Sequence, residues 1–576
     1  MDLFEGIATA PLRSRHGTNC DCRAATVRKR WRNVRTGPVT LAAALLALTT
    51  VSCQSVPKPG QGPKELRISI AGDPKTFDPL QVAENHSETV RYLTAGVLVR
   101  VNRATDTLEP ELAESWKLSG DGRSIAFHLR PGLKFSDNSP LDANDVARTL
   151  NRALDPKEAS PVGDAFQSSA GNPSVTATSA LDLSVVYAVP KPGLDRLFDG
   201  LPVTPRTLAK LPASAGPFFL SEYRPGEYVR LLRNPNYWKR DPAGVPLPYL
   251  DSVRIDIQQN HDIEVERFLR GENHIVEHLE PAGFDRVEKA KPGAARSLGP
   301  SLNSDFMWFN QAPARTLPEW KRKWFTSTAF RKAVSLAINR DDIARIVYLG
   351  RAHPAAGPIS PANRYWFNAS LKPLPYDPQA ASKALSDAGF VLRDGALHQS
   401  SLYDSAGHPV EFSLITNAGN AVRAQMAPLI QADLGRIGIQ VNIVTLDFSS
   451  LVDRIAKSLD YEGALAGLNL EMDPLEAMNV WQSSGAQHAW WPQEKSPATP
   501  WEARIDELEK EQASSGSREV RKKAFDEVQR IAVEQEPIIY LVNPDYLCAI
   551  APSLKGARPS VAPPQVWWNV EWLRLE

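Results

Sequence analysis

The sequence predicts a mixed α/β protein built of several domains. Three observations predict it. The chain has 576 residues, enough for several domains of ~100–200 residues each. Short runs that alternate polar and apolar residues recur along it, separated by stretches with helical spacing. One segment, 411–443, reads strand, helix, strand, the unit of a locally parallel sheet.

The elements follow in order. Glu65-Leu-Arg-Ile-Ser-Ile70 alternates and is a strand. Arg123 to Arg130 does the same through Ile125, Phe127 and Leu129, and Arg130-Pro131-Gly132 makes the turn. Leu141-Asp-Ala-Asn-Asp-Val146 opens a helix, with Asp and Asn at its start. Ser252 to Ile257 is another strand. Phe330 to Ile338 places Phe330, Ala333/Val334 and Ala337/Ile338 on one helical face. Glu411–Ile415 is a strand, 421–434 a helix, and Ile439–Ile443 a strand. Trp501 to Gln535 is a long charged helical region broken near Ser514-Ser-Gly-Ser517. No internal repeat occurs.

Composition is average for a globular protein, with 42% apolar and 23% charged residues, which excludes wholesale disorder. Proline is in excess at 47 residues and marks many loops. Sixty-six basic residues balance 66 acidic ones, which argues against a nucleic-acid partner held by bulk charge. The balance is uneven along the chain. Residues 1–52 carry eight basic and three acidic side chains, so the remainder is net acidic.

After that basic cluster, Val39 to Val51 is a short uncharged apolar run ending in small residues before Cys53. Basic flank, apolar core and small residues read as an export leader, 1–52. Residues 1–26 precede the basic cluster, farther than such a core usually stands from the start, which is consistent with initiation at Val27. Thr50-Val51-Ser52-Cys53 resembles a lipobox, with Thr50 where Leu is usual, and residues 53–63 read as a lipidated Cys53 and a Pro/Gly tether. Acyl chains anchor through burial of CH₂ groups, at ~0.8 kcal/mol each. Cys20 and Cys22 fall in the leader, leaving Cys548 without a disulfide partner, so the exported chain depends on its core. No other stretch approaches the ~18 apolar residues of a membrane span.

Enzyme motifs are missing: no G-x-G-x-x-G, Walker-A loop, G-x-S-x-G or H-E-x-x-H occurs. His274-Ile-Val-Glu-His278 with Glu272 would offer a metal two histidines on one helical face. It lacks a third ligand at motif spacing, and solvated polar positions are the better reading. No catalytic residue, metal or cofactor is expected.

Ordered motifs carry a resemblance. Leu112-Ala-Glu-Ser-Trp116 is followed by Phe127-His-Leu-Arg130-Pro-Gly132-Leu-Lys-Phe135-Ser-Asp137-Asn-Ser-Pro140-Leu-Asp-Ala143-Asn-Asp145-Val146. Asp78-Pro79, Ala215-Gly-Pro-Phe218, Arg233-Asn-Pro-Asn-Tyr-Trp238, Phe309-Asn310, Phe330-Arg-Lys-Ala333, Ala337-Ile-Asn-Arg340, Tyr376-Asp-Pro378, Ala388-Gly-Phe390 and Glu536-Pro-Ile-Ile-Tyr540 complete the series. Together they resemble the family 5 extracellular solute-binding proteins of ABC importers, the oligopeptide, dipeptide and nickel-binding type. Asn138 and Asn144 depart from the pattern at turn and cap positions. Leu468-Asn-Leu470-Glu471-Met-Asp473-Pro departs more. Peptide-binding members carry an Asp where this chain has Leu470, so the anchor for a peptide ammonium is missing or displaced to Glu471.

The resemblance implies a type II periplasmic-binding-protein-like fold, with two lobes around a ligand cleft and an extra domain. Lobe I would comprise 64–97, 212–300 and 540–576, the extra domain 98–211, and lobe III 301–539. Candidate ligand-binding residues are Glu84, Asn85 and His86 near the first crossing; Trp308 and Asn310 at a strand end; Asn417, Asn420 and Arg423 at a strand-to-helix turn; and Asn469, Glu471, Asp473 and Trp481. Arg423 would be a fork donor to an anionic or hydroxylated ligand, with capping by Asn420 as the structural alternative. For Trp308 the alternatives are stacking on a ligand and core packing. The implied role is a monomeric, lipid-anchored receptor outside the cytoplasmic membrane. It would capture a polar solute such as a peptide or oligosaccharide and present it to a permease with ATPase subunits. A ligand sensor or peptide chaperone is the alternative from another class, and a secreted hydrolase the enzyme alternative.

Overall fold

The computed structural model describes residues 64–207, 212–394, 400–469 and 473–576. The export leader, Cys53 and its tether, Leu470 and Glu471 lie outside the described residues. None of the described helices is long and apolar enough to cross a membrane.

Three sheets organise the chain. In the first, Glu65–Ile70 pairs in parallel with Ser252–Ile257, which continues antiparallel to Tyr228–Arg233 and Phe218–Arg224. The second is an antiparallel meander of Ala113–Leu118, Ser124–Leu129, Asp182–Val186 and Ser174–Ala177. The third contains the predicted strand–helix–strand unit. Glu411–Asn417 runs parallel to Gln440–Leu446 on one side and to Gly463–Asn469 on the other, and Asn303–Phe309 runs antiparallel beyond. The intervening helix is Ala421–Gly435. The long charged region divides as expected into helices Pro500–Ser514 and Arg518–Gln535. The helix expected at 141 begins at Ala143, where Asp142 caps it in a reciprocal box with Asp145.

The strand Ile538–Ile550 links two of these regions. Its first half pairs with Asn303–Phe309, and its second half pairs with Ala295–Pro300 and Ile275–Val276. The register slips in both neighbours, between Ser297 and Pro300 and between Asp305 and Phe306. The strand therefore changes partners around Asn543-Pro544-Asp545. Proline has no N–H to give to a ladder, so Pro544 suits such a junction. Cys548, on the second half, is buried, and burial pushes its thiol up to about 12.

The hydrophobic cores follow the sheets. One gathers Leu66, Ile68, Val90, Leu93, Val229, Ile255, Tyr546, Cys548, Trp567 and Leu573, three separate stretches of sequence. A second lies around the meander and is built from residues between Leu80 and Ala215. The largest gathers Met307, Phe309, Phe325, Phe330, Val334, Phe412, Ile430, Leu465 and Leu541.

The segment around His274 is not helical. Ile275–Val276 is a strand, so alternation, not i,i+4 spacing, sets the two histidines. His274 Nδ1 accepts the Arg67 backbone N–H at 2.9 Å, while the His278 ring meets the edge of Tyr546. His274 is thus held by a neighbouring strand and the helical reading is corrected, while His278 is exposed, as the solvated reading expects.

Arg331 is a buried cation inside the large core, 1% exposed. Its guanidinium donates to the carbonyls of Phe325 (2.7 Å), Gln535 (2.7 Å) and Glu536 (2.9 Å) and to Gln311 Oε1. It thereby ties Thr328–Ala337 to the end of Arg518–Gln535. Arg331→Met removes the donors and leaves buried carbonyls unpaired, at about 1–3 kcal/mol each. Calorimetry of the variant is expected to show a melting transition lowered by several degrees, and Arg331→Lys is expected to restore only part of it.

Two buried acids set a pH dependence. Burial pushes Glu509 up to about 8 and Glu536 up to about 7. Such groups bind protons more tightly folded than unfolded, so their stabilisation is complete below the unfolded value and is lost as pH rises through 7–8. The melting temperature is therefore expected to fall between pH 6.5 and 9, and Glu509→Gln to flatten that fall.

Candidate functional site

Parallel strands in an α/β layer end at one edge, and ligands bind outside that edge. In the third sheet, Asn417, Leu446 and Asn469 end the three parallel strands. Asn469 pairs with Asn303, which starts the neighbouring strand, so Asn303, Ser304 and Asp305 stand at the same edge. The edge also carries the partner-changing stretch of Ile538–Ile550, since Asp305 pairs with Val542.

A buried polar cluster occupies this edge. The Arg423 guanidinium lies 3.4 Å from Asp305 Oδ1 and donates to Asn417 Oδ1 at 2.9 Å. The Tyr348 hydroxyl donates to Asp305 Oδ2. Gly467 leaves room for the pair: a Cβ there would stand 2.4 Å from Arg423 Nη2 and 2.8 Å from Asp305 Oδ1. Burial pushes the Asp305 carboxyl above its ordinary value even with Arg423 beside it. The pair is ionic and charge-balanced, so it offers a rigid polar wall, not a net charge. Asn543 extends the wall, donating to Ser304 Oγ at 2.6 Å and to the Asn303 carbonyl.

The predicted site residues divide between locations. Asn417, Asn420, Arg423 and Asn469 are brought together at this edge. Asn420 caps its helix, accepting the Arg423 N–H at 2.9 Å, as the structural alternative held. Arg423 is occupied by Asp305 and Asn417, so the expectation of a fork donor turned to ligand gives way to a positioning pair. Trp308 and Asn310 lie at the other end of the sheet, because Phe309 pairs with Gly463, the first residue of its strand. Trp308 is 1% exposed and donates to Tyr461 Oη, and Asn310 donates to the carbonyls of Leu459 and Tyr461. Both are core residues here, which corrects their placement at the ligand. Trp481 is buried 6.3 Å from Trp490. Asp473 caps the turn at Pro474 and pairs with buried Arg521.

Glu84 caps the helix Asn85–Thr94, accepting the N–H groups of His86 and Ser87. His86 lies 3.3 Å from Glu84 and packs on Gly72. Beside this helix lies a cavity of about 560 Å³, open solvent included. Phe77, Val82, Val90, Pro202, Pro205 and Ala213 line it with Thr76, Ser87 and Arg91. It is a mostly apolar seam, distinct from the polar sheet edge.

Two further contacts stand out, one beside this edge and one beyond it. Ser301 N donates to the Pro544 carbonyl at 2.8 Å, so the segments 300–303 and 543–545 are tied side by side. Farther out, Asp106 accepts from Arg196 and from Arg518, each at 2.8 Å. Arg518 stacks over Tyr365 at 3.8 Å. Sequence analysis missed Asp305, Tyr348 and this bridge. An Asp inside the apolar run Asn303–Phe309 was the available signal, since a buried charge requires partners.

Comparison with known proteins agrees with the resemblance. The family described as bacterial extracellular solute-binding proteins, family 5 (middle region), matches residues 107–489. Di/tripeptide-binding protein 2 of Pseudomonas aeruginosa is 27% identical over 541 residues, covering 86% of this chain and 93% of its own. Heme-binding protein A of Haemophilus influenzae is 24% identical over 569 residues, covering 90% and 95%. The crystal structure of the substrate-binding protein CtaP of Listeria monocytogenes matches with a TM-score of 0.74 at 21% identity, covering 89% of this chain and 99% of that one. The fold is that of the type II periplasmic-binding proteins.

Gly467→Ala forces a side chain into the Arg423–Asp305 pair. It is expected to lower the melting temperature and to weaken any solute that leans on this edge. Titration of retained or added ligand by calorimetry, beside the melting curve, separates the two effects.

Proposed function

Because the chain belongs to the family 5 bacterial extracellular solute-binding proteins, we propose that its polar sheet edge is one wall of a cleft that closes on a peptide-like or other polar solute. The protein is the extracytoplasmic solute-binding component of an ABC importer, and it delivers its solute to the membrane permease. The observation that carries the cleft reading is the convergence of Asn417, Asn469, the Arg423–Asp305 pair and the tied segments 300–303 and 543–545 at one edge of one sheet. Sites at domain junctions are the usual place for such ligands. The lobes we assign are 64–97 with 212–300 and 540–576, and 301–539, with 98–211 as the extra domain. The core around the first sheet draws only on the first of these lobes, whereas the other two cores each take residues from across it, Leu541 and Val542 in one and Leu80 and Ala215 in the other.

A di/tripeptide-binding relative favours a peptide ligand. Leu470, in place of the acidic residue of peptide binders, favours a solute without a free ammonium at that point, or one held by Glu471. Export by residues 1–52 and lipidation at Cys53 rest on the leader pattern. The relatives are substrate-binding transport proteins, and in our reading the chain performs no chemistry on its ligand. Affinity comes from desolvation and hydrogen bonds made on closure.

Native mass spectrometry of protein purified from its own host tests the reading. A retained solute of defined mass, exchangeable for added peptide with a rise in melting temperature, is the expected result. Turnover of the bound molecule by purified protein, or no stabilisation by any peptide or sugar tried, would overturn it.

The bridge at Asp106 makes a kinetic prediction. Asp106→Asn removes the charge that Arg518 meets across the extra domain. Stopped-flow measurements are expected to show faster solute release, by a few-fold, with melting of the separate cores little changed. The bridge is half-exposed, so its contribution is modest and falls with added salt.

A further inference from the structure

Away from the cleft edge, three ligand-type side chains converge in a buried space: His488, Glu494 and Glu502. They are 0%, 3% and 3% exposed. One nitrogen or oxygen from each lies within 4.8 Å of the other two. His488 Nδ1 stands 3.0 Å from the Val480 carbonyl. A carbonyl only accepts, so Nδ1 carries the proton and Nε2 presents its lone pair to the space. Nε2 has no hydrogen-bond partner, and the Glu494 carboxylate, with no side-chain donor on either oxygen, meets only the Ala498 backbone. Glu502 is oriented by Trp490 Nε1 at 2.9 Å and Thr499 Oγ1 at 2.7 Å.

This arrangement is costly without a cation. Two carboxylates are buried together, and one of them has no side-chain donor on either oxygen. The imidazole tautomer is fixed by a backbone carbonyl, and a carboxylate is steered by an indole and a hydroxyl, as outer partners orient metal ligands. We propose that His488 Nε2, Glu494 and Glu502 bind one divalent transition-metal ion of the zinc class. A +2 ion balances the two carboxylates, and an imidazole with two carboxylates suits zinc over magnesium or calcium, which favour all-oxygen sites. Tetrahedral bonds of about 2.0–2.1 Å put ligand atoms roughly 3.4 Å apart, so a small inward movement of the side chains completes the site.

The site is structural in purpose. Residues 482–499 form no helix or strand between Met478–Trp481 and Pro500–Ser514. Unstructured connections of this length are uncommon unless something holds them. His488 and Glu494 belong to this loop, and Glu502 to the first turn of the following helix, so one ion fastens loop to helix. The loop in turn supports the core end of the large sheet. Trp490 O accepts from Gln311 N at 2.9 Å, and Ala489 O accepts from the Tyr461 hydroxyl that receives Trp308.

The test uses the full chain without an affinity tag, stripped with a chelator and dialysed. Elemental mass spectrometry after Zn(II) addition and desalting is expected to find one zinc per chain, with a rise in melting temperature. Mg(II) and Ca(II) at the same concentration are expected to give neither. His488→Gln and Glu494→Gln are expected to weaken zinc binding by at least about 10–100-fold, the loss that outer-shell changes alone produce. Lack of stoichiometric zinc in the stripped wild type would overturn the proposal. So would an equal response to Mg(II), or zinc uptake unchanged in both variants. If the variants do not fold, the wild-type titration decides alone.

Discussion

The strand Ile538–Ile550 is the constraint on which the rest of the architecture depends. Backbone hydrogen bonding allows a strand two neighbours along any stretch. This one is long enough to serve one set with its first half and another with its second. At Pro544 the strand passes from one set to the other while Ala352–Pro354 pairs across the change, and the chain at 300–303 is tied to it by Ser301. The two sheet regions thus share one strand. The polar edge lies beside that change of partners, since Asp305 pairs with Val542.

Electrostatics at that edge follow from the same economy of space. Gly467 lets a guanidinium and a carboxylate meet against a strand with no side chain between them. The buried pair contributes little net stability, because desolvation offsets its attraction. Its value lies in geometry: Asn417, Tyr348 and Arg423 are held in one arrangement around Asp305. A binding wall with its donors and acceptors fixed in advance loses less entropy when a solute arrives.

The large features were legible in the sequence because they depend on periodicity. Alternation gave Glu65–Ile70, Ser124–Leu129 and Ser252–Ile257, and strand–helix–strand spacing gave the parallel part of the large sheet. Ordered motifs over most of the chain gave the family. Side-chain roles were less legible, since pairing across 118 residues, as between Asp305 and Arg423, leaves no local pattern. Asn417, Asn420 and Arg423 were found by their position at a strand-to-helix turn, but the partner that occupies Arg423 was not. Trp308 and Asn310 were misplaced because a strand end looks the same from either direction. Only the antiparallel register shows that they lie opposite the carboxyl edge. His274 and His278 were misread because their spacing fits a helix and a strand equally well.

Cys548 is the one cysteine among the described residues, and it lies in the second half of the shared strand. Its thiol is fully buried and pushed up to about 12, so almost none of it is thiolate at neutral pH. In an extracytoplasmic, oxidising setting that protection keeps folded chains from cross-linking through this position. It also makes the sulfur a clock. Any reagent that modifies Cys548 has caught the strand after it has left its neighbours, so the rate of modification counts how often its pairing with Ala295–Pro300 comes apart.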